Sequence, residues 1–258
     1  VSEPGEPKPF TLAATVIVMR ESEDGQPQVL MLERASSMAF AAGALVFPGG
    51  RVEPDDWTMA NALLGDFPGE RGVLAQRIAA IRETIEEAGI AVGIDPVPTA
   101  EALALIRSGL AKGRNFGELL EESGVRLEPD MLTPFAWWRP AEEAVRRFDT
   151  RFFLAAAPPA AVEDPDGSES VRALWASARA LLEGAEAGRH YVIFPTWCNL
   201  GRLAQFESLD HARADAALHA HNLASGRIQR HEDVEWVCIE DGLGYPVTKR
   251  LLSEELRR

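Results

Sequence analysis

The chain has 258 residues, 46% of them hydrophobic and 26% charged, which is enough apolar material for one large globular domain with a sizeable core. Its formal net charge of −14 argues against a broad nucleic-acid or anionic-membrane surface, since both require basic patches. Two cysteines, Cys198 and Cys238, are too few for a disulfide scaffold. With no run of 18 apolar residues and no basic-then-apolar leader, the expectation is a cytoplasmic protein with two reduced thiols.

Residues 1–9, with Pro4, Pro7 and Pro9, read as a tail, and residues 10–258 as a single domain. The β-branched stretch 12–19, the polar turn 21–27 and the apolar run 29–32 predict a hairpin across 11–34, the first layer of a sheet, feeding a loop at 35–43. A strand-like run at 44–47 leads into Phe47-Pro48-Gly49-Gly50-Arg51, where two adjacent glycines admit an unusual turn or the close approach of a ligand.

A helix is predicted from about Val73, with Leu74, Ile78, Ile81 and Ile85 at helical spacing. It ends in Arg82-Glu83-Thr84-Ile85-Glu86-Glu87-Ala88-Gly89-Ile90. Positions three and four apart are helix neighbours, so Glu83, Glu86 and Glu87 share a face. They also crowd the last turn before Gly89, a C′ glycine, where the helix dipole favours cations. Each like-charged pair costs roughly 0.2–0.5 kcal/mol, a penalty that a divalent cation among the carboxylates would reverse. Hard oxygen ligands suit Mg²⁺ or Mn²⁺. An acidic run of this kind is also what a solvated helix face looks like.

The glycine turn followed by the acidic helix resembles the Nudix box of the Nudix hydrolases. That pattern is Gly, five residues, Glu, seven residues, then Arg-Glu-U-x-Glu-Glu-x-Gly-U, where U is a bulky aliphatic residue. The second half matches except at Thr84, which replaces an aliphatic residue. With Gly50 as the opening glycine, Asp56 stands where the first Glu belongs. Twenty-five residues separate Asp56 from Arg82 where the pattern has seven, which gives an insertion around 57–72. Similar insertions occur in the branch resembling the peroxisomal coenzyme A diphosphatases. Arg34 lies at the spacing of an arginine that precedes the box in that branch, but Ala41 and Ala44 replace its His and Glu.

The resemblance implies an α/β Nudix fold: a mixed β-sheet packed between helices, with a helical insertion and a C-terminal helical region. It implies hydrolysis of the diphosphate bond of a nucleoside diphosphate linked to another moiety, coenzyme A-like or nucleotide-sugar-like, with Mg²⁺ or Mn²⁺ as cofactor. Glu83, Glu86 and Glu87 would be metal ligands, Glu83 and Arg82 catalytic, and Gly50, Arg34 and Arg51 substrate-binding. The implied partner is a small molecule, with neither nucleic acid nor membrane, and a homodimer is among the assemblies it allows. A Nudix-fold binding module that regulates a partner without catalysis is the alternative class.

Further along, 91–97 reads as a short strand, and 99–108 and 115–122 as two helices joined at Lys112-Gly113-Arg114, a second helical insertion spanning 99–123. Residues 131–138 and 151–156 read as strands separated by the charged run 142–147. Trp137 and Trp138 then face opposite ways, as an aromatic shelf for a base or as core packing. After a polar loop at 160–169 come a strand at 171–175, a helix at 176–186, a helix carrying Leu200, Leu203 and Phe206, and a helix at 210–223. His211, His219 and His221 lie on or beside that last helix. His219 and His221 are two apart, which does not converge on a metal, so the three read as solvated. A strand at 234–239, a glycine turn at 241–245 and a short helix from Ser253 to Leu256 complete the expectation. No phosphate loop, dinucleotide fingerprint or Gly-x-Ser-x-Gly elbow is present.

Overall fold

The computed structural model describes residues 9–23, 25–38, 41–64, 71–140, 147–159 and 161–255. Its centre is β1 (Thr11–Glu21), which forms the predicted hairpin with β2 (Pro27–Arg34). The two-residue β3 (Leu45–Val46) pairs with β2, and β4 (Gly49–Arg51) pairs with β1. Helix α1 (Pro54–Leu64) fills the first part of the insertion, and α2 (Arg71–Ala88) starts two residues before the expected position. The middle of the insertion, 65–70, and most of the charged run 142–147 lie outside the described residues, as does nearly all of the expected tail 1–9.

The strand expected at 91–97 shrinks to β5 (Ile94–Asp95), because only these residues find a partner, in β6 (Arg126–Leu127). Between them sit the two expected helices, α3 (Ala100–Leu110) and α4 (Phe116–Glu122), each capped by a side chain, Thr99 and Asn115. Strands β7 (Thr133–Pro140) and β8 (Phe148–Ala156) follow, and β8 runs parallel to β1. Strand β9 (Ser170–Ala176) pairs with β2.

Helices α5 (Ala178–Glu186), α6 (Phe194–Leu203) and α7 (Leu209–His219) come next. They are followed by β10 (Leu223–His231), β11 (Val234–Cys238), β12 (Lys249–Leu251) and α8 (Leu252–Glu255). Strand β10 was not expected. Its sequence, LASGRIQRH, has neither a run of β-branched residues nor apolar alternation, and five consecutive residues at its end are exposed. It is held instead by backbone pairing to β7 and β11. For the same reason the expected helix 210–223 stops at His219.

The sheet order is β12-β11-β10-β7-β8-β1-β2-β3, with β4 on β1 and β9 on β2. Alternate side chains of β1 enter two separate cores. Ala14, Val16 and Val18 join α1, α2, α3 and α4 on one face, through residues such as Ile78, Ile81, Ile106 and Leu119. Ile17 and Met19 join α5, α6 and α7 on the other, with Phe135, Trp138, Leu181 and Leu200. This is the mixed sheet between helical layers that the resemblance implies. Cys198 and Cys238 are buried free thiols. Among the described residues no helix is long and apolar enough to cross a membrane.

Candidate active site

The end of α2 is fastened to the glycine turn. The Gly49 N–H donates to Glu87 Oε2 at 3.0 Å, and a Cβ at Gly50 would overlap the Glu83 carboxylate. A Cβ at Gly49 would meet the Ala14 carbonyl and the Thr15 backbone. Both glycines are therefore required by close approach: Gly50 by the carboxylate lying on it, Gly49 by the strand beneath. Gly89, with φ +66°, ends the helix as the expected C′ residue.

Arg82 organises the acidic side chains. Its Nε and one terminal nitrogen donate to the two oxygens of Asp56 at 3.1 and 3.0 Å, and the latter nitrogen also donates to the Arg51 carbonyl at 3.0 Å. The other terminal nitrogen is shared by Glu83 and Glu86, each at 3.0 Å. Asp56 is fully buried and also accepts from the Glu53 N–H at 2.8 Å. Burial works against the charge of Arg82, but its carboxylate partners, Asp56 first, hold the guanidinium protonated more firmly than usual.

The carboxyls are pushed the other way. Burial raises Glu83 to about 7 against the pull of Arg82, and burial with the nearby Glu83 raises Glu87 to about 8. Burial also raises Glu86. The Gly49 N–H and the charge of Arg34 hold Glu87 down, while Glu169 pushes it up. The structure therefore brings together Arg82, Glu83, Glu86, Glu87 and Gly50, with Arg34 close enough for its charge to act on Glu87. The Arg51 side chain points away: it is exposed and reaches Glu53 at 3.9 Å, and only its backbone carbonyl belongs to the site.

Two features were missed in the sequence. Arg107, from the second helical insertion, donates to the Glu86 carbonyl at 3.1 Å and to the Asp164 side chain and carbonyl, so a cation from another helix supplies what the last turn of α2 lacks. The loop before β9 closes the same helix end. The Asp164 N–H donates to the Ala88 carbonyl at 2.8 Å and the Asp166 N–H to the Glu87 carbonyl at 3.3 Å. The Asp166 carboxylate accepts the N–H groups of Ser168, Glu169 and Ser170, which fixes the turn carrying Glu169. Asp166-Gly167-Ser168 is a turn signal, but nothing in one sequence says where such a turn docks. The histidines form no metal site. His211 and His221 are exposed, as expected, with the His211 ring touching Phe206, whereas His219 is half-buried beside Asn222 and Asp215.

Among the described residues no three His, Cys, Asp or Glu side chains stand at metal-ligand spacing. The donor chemistry nonetheless suits a hard divalent cation. Glu83, partly buried, and Glu87, buried, are carboxyls whose charges oppose one another, and Mg²⁺ is commonly held by one or two carboxylates with water and substrate phosphates completing its shell.

A mixed sheet between helical layers, with a glycine turn lying on an acidic helix end, defines a Nudix-type α/β architecture. The chain has the Nudix fold and is a relative of the Nudix hydrolases. A crystal structure of a Nudix hydrolase from Alicyclobacillus acidocaldarius matches with a TM-score of 0.68 and 26% identity, covering 80% of this chain and 96% of that one. A putative nudix hydrolase of Caenorhabditis elegans is 28% identical over 183 residues, covering 71% of this chain and 58% of that protein. An acyl-coenzyme A diphosphatase of Gallus gallus is 28% identical, covering 71% of this chain and 62% of that protein. The chain thus spans about 60% of the length of these two curated relatives. No protein-family model matches it.

Proposed function

We propose that the chain is a metal-dependent hydrolase that cleaves the diphosphate bond of a nucleoside diphosphate linked to another group, coenzyme A-like compounds included. The observation that carries this reading is the seating of Glu83 and Glu87 on Gly50 and Gly49, with Arg82 locked by Asp56. The acyl-coenzyme A diphosphatase among the relatives supports the substrate class.

Glu87, Glu86 and Glu83 are the residues that would hold Mg²⁺ or Mn²⁺, which when bound offsets phosphate charge and acidifies a coordinated water. Glu83, lying on Gly50 one turn from Glu87, is placed to share in metal binding or to orient the attacking water and take its proton. Water adds to phosphorus, the bridging P–O bond breaks, and two phosphate-bearing products leave. Arg82 acts by fixing the carboxylates, because its donors are all occupied by Asp56, Glu83, Glu86 and the Arg51 carbonyl. The Gly49-Gly50 turn lets backbone approach the phosphates, and Arg34 places a positive charge beside Glu87. Residues 10–258 act as one domain, in the cytoplasm, on a small-molecule substrate and without nucleic acid.

The test is release of phosphate esters from coenzyme A, ADP-ribose and NADH with and without Mg²⁺. Metal-dependent release from any of them supports the reading. Binding without turnover would instead make the chain a metabolite-binding module.

A further inference from the structure

Three arginines alternate with two aromatic rings at one end of the sheet. The Arg147 guanidinium lies 4.3 Å from the centre of the Phe10 ring, and Arg139 lies 5.1 Å from Phe10 and 4.8 Å from Trp137. Arg151 lies 4.0 Å from Trp137. One buried carboxylate, Asp149, meets the middle of the stack. It accepts from Trp137 Nε1 and from Arg139, the latter at 2.5 Å. Among the described residues neither Arg147 nor Arg151 forms an ion pair, and the buried Nε atoms of Arg139 and Arg147 have no hydrogen-bond partner. Among the described residues three guanidiniums meet one carboxylate here, on a chain whose formal net charge is −14.

The stack is built into the frame of the protein. Gln76 of α2 donates to the Ala13 and Asp149 carbonyls at 2.8 and 2.9 Å, which fixes the start of β8 to that helix. Gly50, Ala14, Arg151 and Trp137 lie in one row across β4, β1, β8 and β7, so Arg151 stands two strand spacings, about 10 Å, from the glycine turn. Arg151 and Trp137 share the face on which α2 packs, whereas Trp138 enters the opposite core. All five members of the stack are partly exposed, so an external group can reach them.

Arginine presents planar donors that match phosphate oxygens, and a ring-stacked guanidinium is preorganised for such contacts. We propose that the stack formed by Arg147, Phe10, Arg139, Trp137 and Arg151 is a binding site for a phosphate monoester group, separate from the acidic end of α2. The occupant is either a terminal phosphate of an extended substrate or a free phosphorylated metabolite. The site does not rest on the hydrolase reading.

Inorganic phosphate titrated into the full chain without divalent metal, followed by calorimetry, tests the site, because the acidic helix end repels phosphate under those conditions. The expected result is binding to the wild type that weakens at least about tenfold in Arg151→Gln and in Arg147→Gln. Near-UV circular dichroism reports whether each variant keeps its packing, and if Arg151→Gln does not, Arg147→Gln answers alone. Absence of binding in the wild type, or unchanged binding in the folded variants, overturns the proposal. A second arm identifies the source by comparing dissociation constants of coenzyme A and its 3′-dephosphorylated form, again without metal. A preference for the phosphorylated form that is lost in the variants assigns the site to a substrate phosphate. Equal affinities alongside phosphate binding assign it to a free metabolite.

Discussion

Arg82 and Asp56 form a two-point contact across the insertion, with both Asp56 oxygens accepting from one guanidinium and the carboxylate wholly shielded from solvent. Asp56 thus serves the end of α2 from behind, by fixing the arginine that in turn holds Glu83 and Glu86. Removing one partner of a buried pair leaves an uncompensated charge. Asp56→Ala should therefore cost about 3–5 kcal/mol of stability, measured by urea denaturation. Asp56→Glu keeps the charge but adds a methylene to a filled site and should cost about 1–3 kcal/mol. Wild-type stability in Asp56→Ala would show that Arg82 finds another buried partner.

Glu87 is the carboxylate fastened to Gly49, and Glu87→Gln keeps its shape while removing its charge. Hydrolysis should fall by at least about 100-fold with the fold retained. Wild type should also gain thermal midpoint on adding Mg²⁺ or Mn²⁺, through binding to the folded state, and the variant should gain less. Equal gains would place the ion elsewhere.

The raised carboxyls give the metal-free protein a definite pH dependence. Glu83 and Glu87 bind protons more tightly folded, at about 7 and about 8, than unfolded, near 4.5. The folded state therefore holds more protons, and the contribution to stability is full below about pH 4.5 and is lost as pH rises through 7 to 8. Without metal, the wild-type midpoint should fall between about pH 6 and about pH 9, roughly one unit either side of that window, and Glu87→Gln should fall less. A midpoint that rises over this interval in both proteins would contradict the assigned shifts.

The hairpin, the glycine turn and the acidic helix were readable because each depends on local chemistry: alternation, a Gly-Gly pair and helical spacing. Glu83 and Glu87 meeting Gly50 and Gly49 follows once the helix lies on β1. What the sequence concealed depends on distant partners. Arg107 reads as one charge on an amphipathic helix, yet it caps α2. Strand β10 is kept by pairing to β7 rather than by its own composition. Arg51 adjoins the glycines, yet its exposed side chain reaches Glu53 while its carbonyl meets Arg82, a division of roles that no local pattern announces.

That hidden cap is itself testable. Arg107→Ala removes a charged donor from the Glu86 carbonyl at the negative end of a helix crowded with carboxylates. The expected loss is about 1–2 kcal/mol, with a fall in kcat at nearly unchanged KM, since the carboxylates shift while the substrate surface stays. Arg107→Lys should recover part of both. A rise in KM alone would make Arg107 a substrate contact.

Selectivity should be modest. Strong rejection comes from polar groups left unpaired by the wrong ligand. Position 44, matching the Glu of the resembling branch's motif, is here a fully buried alanine whose backbone bridges to Tyr191. Under one metal concentration, kcat/KM for coenzyme A should exceed that for ADP-ribose and NADH by less than about 100-fold, equivalent to about 2.7 kcal/mol. A larger margin would require recognition from Arg34 or from the insertion.

The most direct measurement is phosphorus NMR of coenzyme A incubated with the protein and Mg²⁺. The wild type should replace the diphosphate resonances with those of two new phosphomonoesters, and Glu87→Gln should leave the diphosphate essentially intact over the same period. An unchanged diphosphate spectrum with the wild type, tried in turn on coenzyme A, ADP-ribose and NADH, or equal conversion by the variant, would contradict a hydrolytic site built on the end of this helix.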